Sequence, residues 1–200
     1  MKPLISAALA VVCVAALGQA APTNPTERLR GTVESFDGTT LVVKERRGDV
    51  IRLVLADNFS VSEVVPIGIA SIQPGNFIGS AAEPAADGTL RALEVLIFPE
   101  AMRGTGEGHS AWDLQPGSTM TNATVADLVF AAEGRKLTLR YKGGEKTLLV
   151  PEGVPVVTFK PGDRSLLVPG AKVLVTAQSR DGKPTALRAL AGRDGFAPPM

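Results

Sequence analysis

The sequence is poor in the residues that carry most protein chemistry. Its 200 residues include one cysteine, one histidine, one tryptophan and one tyrosine. The single cysteine, Cys13, lies in an apolar N-terminal run, so removal of that run leaves a chain without thiols. Disulfide bonds and cysteine-ligated metals are thereby excluded, and each small folded unit must be stabilised by buried apolar surface alone.

Strong charge of either sign is also missing. The chain has 21 basic and 20 acidic residues and a formal net charge of +1. A partner held mainly by charge, such as a nucleic acid backbone or an anionic lipid surface, is therefore not expected. The scarcity of aromatic side chains points the same way, because single-stranded nucleic acids are bound on exposed aromatic platforms.

The third absence is a hydrophobic run long enough to span a membrane. The longest run, Leu4 to Leu17, covers about 14 residues, whereas a spanning helix needs about 20. Lys2 precedes it and the small residues Gly18-Gln19-Ala20-Ala21 follow. This order is typical of a cleavable secretory signal over residues 1–20, cut near Ala20. We expect a periplasmic or secreted protein with no membrane span after cleavage.

What the chain does contain is a repeat with a period of about 95 residues. Both copies show a short Thr-Val start, an acidic-Gly turn, two alternating apolar runs, a Pro-Gly pair and a closing Asp-Gly turn. The paired landmarks are Thr32-Val33 with Thr124-Val125, Asp37-Gly38 with Glu133-Gly134, Pro74-Gly75 with Pro169-Gly170, and Asp87-Gly88 with Asp181-Gly182. A fixed-period repeat predicts a repeated architecture.

Period-two alternation and Gly-containing turns predict β-strands joined by hairpins. Each copy shows five such strands, with about 15 irregular residues between the third and fourth, at Asn58 to Gly75 and Gly153 to Gly170. We therefore predict an all-β protein of two tandem small OB-like Greek-key barrels. The predicted units are repeat 1 (29–98), a linker rich in Gly and Met (99–122), repeat 2 (123–192) and a C-terminal tail (193–200). We also expect the two halves to pack on one another, because each alone is marginal in size.

These repeats resemble the family called domain of unknown function 5666, which is found in exported bacterial proteins. The resemblance covers residues 31–192 and depends on the Asp-Gly turns, the Pro-Gly pair and the central run from Ile97 to His109 followed by Trp112-Asp113-Leu114. It implies OB-like barrels and an exported location without an established activity. Some similar tandem proteins carry the label of metal transporter permease, which the lack of spanning segments contradicts.

The linker is the segment without a counterpart in the repeat, and loops are where function concentrates. It contains a set of potential metal ligands: Met102, Glu107, His109, Asp113 and Met120. Thioether and imidazole ligands suit copper, and imidazole with carboxylates suits zinc. The alternative is that the methionines and Trp112 anchor the linker against the barrels.

No catalytic pattern is present. The Gly-rich run from Gly104 to Gly108 lacks the Lys-Ser or Lys-Thr of a phosphate-binding loop, and no nucleophile elbow occurs. We predict a non-enzymatic binding or scaffolding module of the bacterial cell envelope, without cofactor, whose partner is an envelope protein or a small ligand. A metal-binding accessory protein is the first alternative. Single-stranded nucleic acid binding, by analogy with other OB folds, is the second.

Overall fold

A computed structural model describes residues 25–199, so the predicted signal segment lies outside the described residues. The described chain is all-β, as predicted, and its thirteen strands join in one continuous sheet. Between them lie three single turns of 3-10 helix. The strands are β1 (Thr26–Phe36), β2 (Thr40–Glu45), β3 (Val50–Ile67), β4 (Phe77–Pro84), β5 (Leu90–Ala92), β6 (Val95–Ile97), β7 (Gly108–Ala111), β8 (Thr119–Ala131), β9 (Gly134–Tyr141), β10 (Gly144–Pro151), β11 (Val156–Pro161), β12 (Lys172–Arg180) and β13 (Lys183–Ala191).

The hairpin turns form where the sequence predicts them. The carboxylate of Asp37 accepts hydrogen bonds from the backbone N–H groups of Thr39 and Thr40 at 2.9 and 2.7 Å. Gly38, which follows Asp37, has a φ of +97°, which a residue with a side chain rarely adopts. Asp87 holds the β4–β5 turn in the same way through Thr89. The Asp-Gly pairs therefore define where strands end.

Five strands close a barrel that draws on both predicted repeats. β1 pairs with β2 and β2 with β3, as expected within one repeat. The ring is then completed by β13, parallel to β3, and by β12, which pairs with both β13 and β1. We call these five strands ring A. Its core is the side chains of one cluster: Leu29, Val33, Leu41, Val43, Leu53, Val61, Leu166, Leu167, Ala171, Val173, Val175, Ala177, Ala186, Ala189 and Ala191.

A second set of five strands pairs in the complementary way. β8 pairs with β9 and β9 with β10, while β5 runs parallel to β10 and β4 connects β5 back to β8. We call these strands ring B. Its core cluster is Ile72, Ile78, Ala82, Leu90, Ala92, Val95, Ala123, Val125, Leu137, Leu139, Leu148, Val150 and Val156.

The prediction of one barrel per repeat is therefore wrong in its connectivity. Each ring takes its first three strands from one repeat and its last two from the other, so the repeat boundaries at 98 and 123 do not separate the rings. The physical reason lies in the long excursion after the third strand. That segment crosses to the other ring before the fourth strand begins, and local strand patterns cannot show where it leads.

The excursions are extended strand in part and not irregular throughout. β3 continues through residues 62–67 and pairs there with β11, and β11 also pairs with β6. The prolines in these segments tolerate extended structure where a strand has one neighbour. Pro66 is such a case, because β3 is paired at that point with β11 alone.

A third apolar cluster lies between the rings. It consists of Val64, Leu96, Val157, Phe159, Leu174 and Leu190, with Phe98, Met102 and Phe196 packed against it. The halves thus pack on one another through both exchanged strands and shared core. No helix in the described part of the chain is long and apolar enough to cross a membrane.

Candidate functional site

A cavity of about 320 Å³ lies beside the third cluster, between the outer faces of the two rings. Strands of ring A form one wall and strands of ring B the other, while Thr105, Gly106, Ser110 and Trp112 of the linker complete the lining. A volume of this size is at the lower end of small-molecule sites. The cavity therefore draws its walls from both rings.

The ring A wall is a row of side chains on three adjacent strands. Arg28 on β1 is opposite Thr176 on β12, and Thr176 is opposite Arg188 on β13. Leu174 and Leu190 form the next row in the same register. All five residues line the cavity. The wall is therefore apolar inside and carries two guanidinium groups at its edge.

The ring B wall is built around a glycine. Gly79 on β4 lies between Asn122 on β8 and Leu96 on β6. A Cβ atom at Gly79 would lie 2.6 Å from Asn122 Oδ1 and 3.1 Å from the Phe98 ring. Because both distances are shorter than normal contacts, only glycine leaves room here for the amide oxygen and the ring.

Glu94 enters the same wall at the break between β5 and β6. The N–H groups of Leu93 and Glu94 both donate to the carbonyl of Ala81, so the strand carries an extra residue at this point. The irregularity directs Glu94 into the cavity wall, where its residue is 1 % exposed. Its backbone carbonyl accepts a hydrogen bond from the buried Ser80 hydroxyl at 2.7 Å.

The linker closes the cavity with Trp112 and a Gly-rich turn. The guanidinium of Arg28 lies 4.0 Å from the centre of the Trp112 ring, a cation–π contact. The Nδ2 group of Asn122 donates to the carbonyl of Thr105 at 3.1 Å, which holds the turn beside the cavity. This bond also assigns the orientation of the amide. Because Nδ2 is the paired atom, Oδ1 is the amide atom left without a hydrogen bond.

Three buried polar atoms have no hydrogen-bond partner in the described part of the chain: Glu94 Oε2, Trp112 Nε1 and Asn122 Oδ1. All three residues line this one cavity. A buried polar atom without a partner costs about 1–3 kcal/mol. Their concentration in one place marks a polar site inside a largely apolar surface.

Burial dominates the electrostatics of Glu94. Desolvation raises the pKa of its carboxyl to about 8, and the positive charge of Arg30 opposes this shift. Glu94 is therefore largely protonated at neutral pH. In that form the carboxyl both donates and accepts hydrogen bonds.

Asp113 is occupied by two arginines. Its carboxylate lies 2.8 Å from Arg30 Nη2 and 3.5 Å from Arg28 Nη1. Partial burial favours the neutral acid, but the hydrogen bond and charge of Arg30 and the charge of Arg28 outweigh it and lower the pKa of Asp113. A carboxylate in this position links the linker to β1.

The predicted metal ligands lie in separate surroundings. The carboxylate of Glu107 accepts a hydrogen bond from the backbone N–H of Lys142 at 2.9 Å, and Met102 packs against the third cluster. Met120 lines the cavity, whereas Asp113 pairs with the arginines. Among residues 25–199, no group of three or more His, Cys, Asp and Glu side chains is arranged to hold an ion.

His109 is separated from Met120 by the pleat of the hairpin. It is paired with Thr121 on β8, and its Nδ1 lies 2.8 Å from the Thr121 hydroxyl. Met120 is paired with Ser110, and successive side chains of a strand point to opposite faces. Burial, and then the charge of Lys146, lower the pKa of His109, so its imidazole is neutral at neutral pH. The structure therefore does not bring the five predicted ligands together.

The site residues that sequence reasoning missed are Glu94, Asn122, Arg28 and Arg188. One signal was present in the repeat. Aligning Asp87-Gly88 with Asp181-Gly182 places Glu94 at the position of Arg188, and Leu96 at that of Leu190. Equivalent positions of the two copies thus carry opposite charge types and meet across one cavity.

The surface offers little for nucleic acid stacking. Of the aromatic side chains in residues 25–199, Phe130 at the β8–β9 turn is the exposed one. A stacking platform needs several exposed rings along a strand path. The described surface therefore does not favour the nucleic acid alternative.

Comparison of the chain with protein-family models, with curated proteins and with solved structures found no match.

Proposed function

We propose that this protein is an exported, non-enzymatic binding protein that holds a small molecule in the cavity between the two rings. The observation that carries the proposal is the gathering of all three unpartnered buried polar side-chain atoms on one preformed cavity. A ligand with matching polar groups forms hydrogen bonds with these atoms and so removes the free-energy cost of burying them without partners. The apolar side chains around them supply the contact area.

We also infer that both rings are OB-like. In each ring the strands follow the order first, second, third, fifth, fourth, with the third and fifth parallel. This order supports the resemblance to domain of unknown function 5666 proteins. Export is inferred from the signal pattern of residues 1–20.

The non-enzymatic part of the proposal rests on the cavity lining. Glu94 is the acid nearest to the ligand space, but a nucleophile with an adjacent base is not among the lining residues. We therefore propose ligand recognition and not catalysis, and we assign the cell-envelope partner expected from the sequence to the outer surface.

Trp112 makes the proposal directly testable. It is the single tryptophan of the chain and lines the cavity, so its fluorescence reports occupancy. A fragment library screened by Trp112 emission and by NMR of labelled protein is expected to give ligands whose shifts cluster on cavity residues. Ser110→Phe places a ring at the cavity mouth and should abolish these responses.

Ser35→Phe is the matched control, because Ser35 is exposed on β1 and does not line the cavity. It should bind the same fragments as the unmodified protein. If no fragment changes Trp112 emission or chemical shifts at the cavity, or if Ser110→Phe binds equally well, the proposed function is wrong.

A further inference from the structure

The charge around the cavity is uneven. Arg28 and Arg188 stand at its edge on the ring A wall, on either side of Thr176. Arg188 makes no hydrogen bond or ion pair with any residue of the described chain, and the Asp113 carboxylate is shared between Arg30 and Arg28. Two positively charged guanidinium groups therefore line the cavity, and only part of the negative charge of one carboxylate balances them.

Hydrogen-bonding capacity is also divided between the walls. Trp112 Nε1 can only donate, and the arginines can only donate, so this side of the cavity requires an acceptor. Asn122 Oδ1 can only accept, which requires a donor on the ring B side. Between them lie Leu96, Phe98 and Leu174, which contact apolar groups.

We propose that the ligand of this cavity is a small apolar carboxylate that also carries a hydrogen-bond donor, with its carboxylate at Arg28 and Arg188 and its donor at Asn122 and Glu94. This inference rests on the proposed binding function and adds the chemical class of the ligand. A hydroxy acid and an amino acid share this chemistry. They differ in the donor that they bring to Glu94: the hydroxy acid brings a neutral hydroxyl, and the amino acid brings a positively charged ammonium group.

Arginine is suited to this role because its planar guanidinium binds carboxylates through two parallel hydrogen bonds. The arginines lie on separate strands of one rigid ring, so their spacing does not depend on the linker. Arg28 is in addition held over Trp112, which orients it toward the cavity. The apolar middle of the cavity favours an aromatic or branched aliphatic body over a sugar.

The test uses four probes of one size on the full chain: 3-phenyllactate, phenylalanine, 3-phenyllactamide and 3-phenylpropionate. Binding is measured by isothermal titration calorimetry, with NMR shifts to locate each probe. We expect 3-phenyllactate or phenylalanine to bind at least about 10-fold more tightly than the neutral amide, a difference typical of one charge-assisted contact. The donor-free 3-phenylpropionate should bind more weakly than whichever of 3-phenyllactate and phenylalanine binds more tightly.

Arg188→Gln should remove most of the preference for acid over amide, and raised salt should weaken the acid in the unmodified protein. Arg52→Gln is the control, because Arg52 is exposed on β3 and does not line the cavity. The ratio of 3-phenyllactate to phenylalanine affinities distinguishes the two sources of the shared chemistry.

Several outcomes overturn the inference. They are an amide that binds as tightly as the acid, an unchanged acid preference in Arg188→Gln, or no response to any of the four probes while other fragments bind in the cavity. Each of these leaves the binding function standing. Failure of every fragment to occupy the cavity instead contradicts the proposed function itself.

Discussion

The buried carboxyl of Glu94 should make the stability of this protein depend on pH in an unusual direction. The pKa of an unburied glutamate is 4.5, and burial raises that of Glu94 to about 8. Between these values the folded protein keeps a proton that the unfolded chain has lost. Folding is then opposed by an amount that grows with pH, so the free energy of unfolding falls from pH 4.5 to pH 8 and levels off above it.

The size of the effect follows from the shift. One pKa unit corresponds to about 1.4 kcal/mol, so the shift of Glu94 corresponds to about 5 kcal/mol of lost stability across the window. Because the cavity lets water reach an ionised carboxylate, about 5 kcal/mol is the upper limit and we expect at least about 2 kcal/mol.

Glu94→Gln supplies the comparison, because glutamine has nearly the same shape and no charge. Urea unfolding of both proteins, followed by far-ultraviolet circular dichroism from pH 5 to pH 9, gives the difference in their free energies of unfolding. Other titrating groups, His109 included, are common to both proteins and cancel in that difference. The free energy of unfolding of Glu94→Gln should rise steadily, relative to that of the unmodified protein, up to pH 8.

Glu27→Gln is the control, since Glu27 is exposed on β1. This variant should follow the unmodified protein across the same range. A difference between Glu94→Gln and the unmodified protein that stays constant within about 0.5 kcal/mol from pH 5 to pH 9 would refute the reasoning, because Glu94 would then titrate as a solvated glutamate.

Four further predictions address the cavity wall, the linker and the fold. Gly79→Ala should cost about 1–3 kcal/mol of stability and weaken fragment binding, because the new methyl group overlaps the Asn122 amide oxygen; unchanged urea unfolding would contradict this. Asp113→Asn should cost about 1 kcal/mol at neutral pH through its pair with Arg30, and the cost should vanish as the pH falls through the lowered pKa of the carboxylate; a cost that persists in acid would argue for packing instead. Cutting the chain after Gly104 should give two halves that do not fold as monomers but recover circular dichroism when mixed, because each ring needs strands from both; one half that unfolds cooperatively as a monomer would disprove it. Titration with copper(I), copper(II) and zinc, followed calorimetrically, should show no binding tighter than micromolar, and a tight site lost in His109→Ala would restore the metal alternative.

Local features of the fold were predictable because they depend on neighbours in sequence. The Asp37 and Asp87 turns form through hydrogen bonds that span two or three residues, and strand alternation follows from one buried face. The excursion before the fourth strand is different. Its extended stretch, residues 58–67, belongs to a strand whose partner β11 lies about 90 residues away in sequence.

The candidate site was less accessible to sequence reasoning. The sequence predicts function in the linker, which contains His109 and Trp112, and Trp112 does line the cavity. His109 does not, because the β7–β8 pairing turns it to the other face. Glu94 carries no sequence signal of burial, and only its position between the two rings reveals that it is buried.

The sequence by itself determined the all-β class and the turn positions, since both depend on short-range hydrogen bonds and on period-two burial. Only the tertiary structure decided which strands close each ring and which polar groups meet between the rings. Closure of a ring depends on the free energy of the whole assembly of distant strands, and exchange of two similar strand pairs leaves the local pattern of both copies unchanged. The cavity exists because that exchange brings Glu94 and Arg188, equivalent in sequence, to opposite walls of one space.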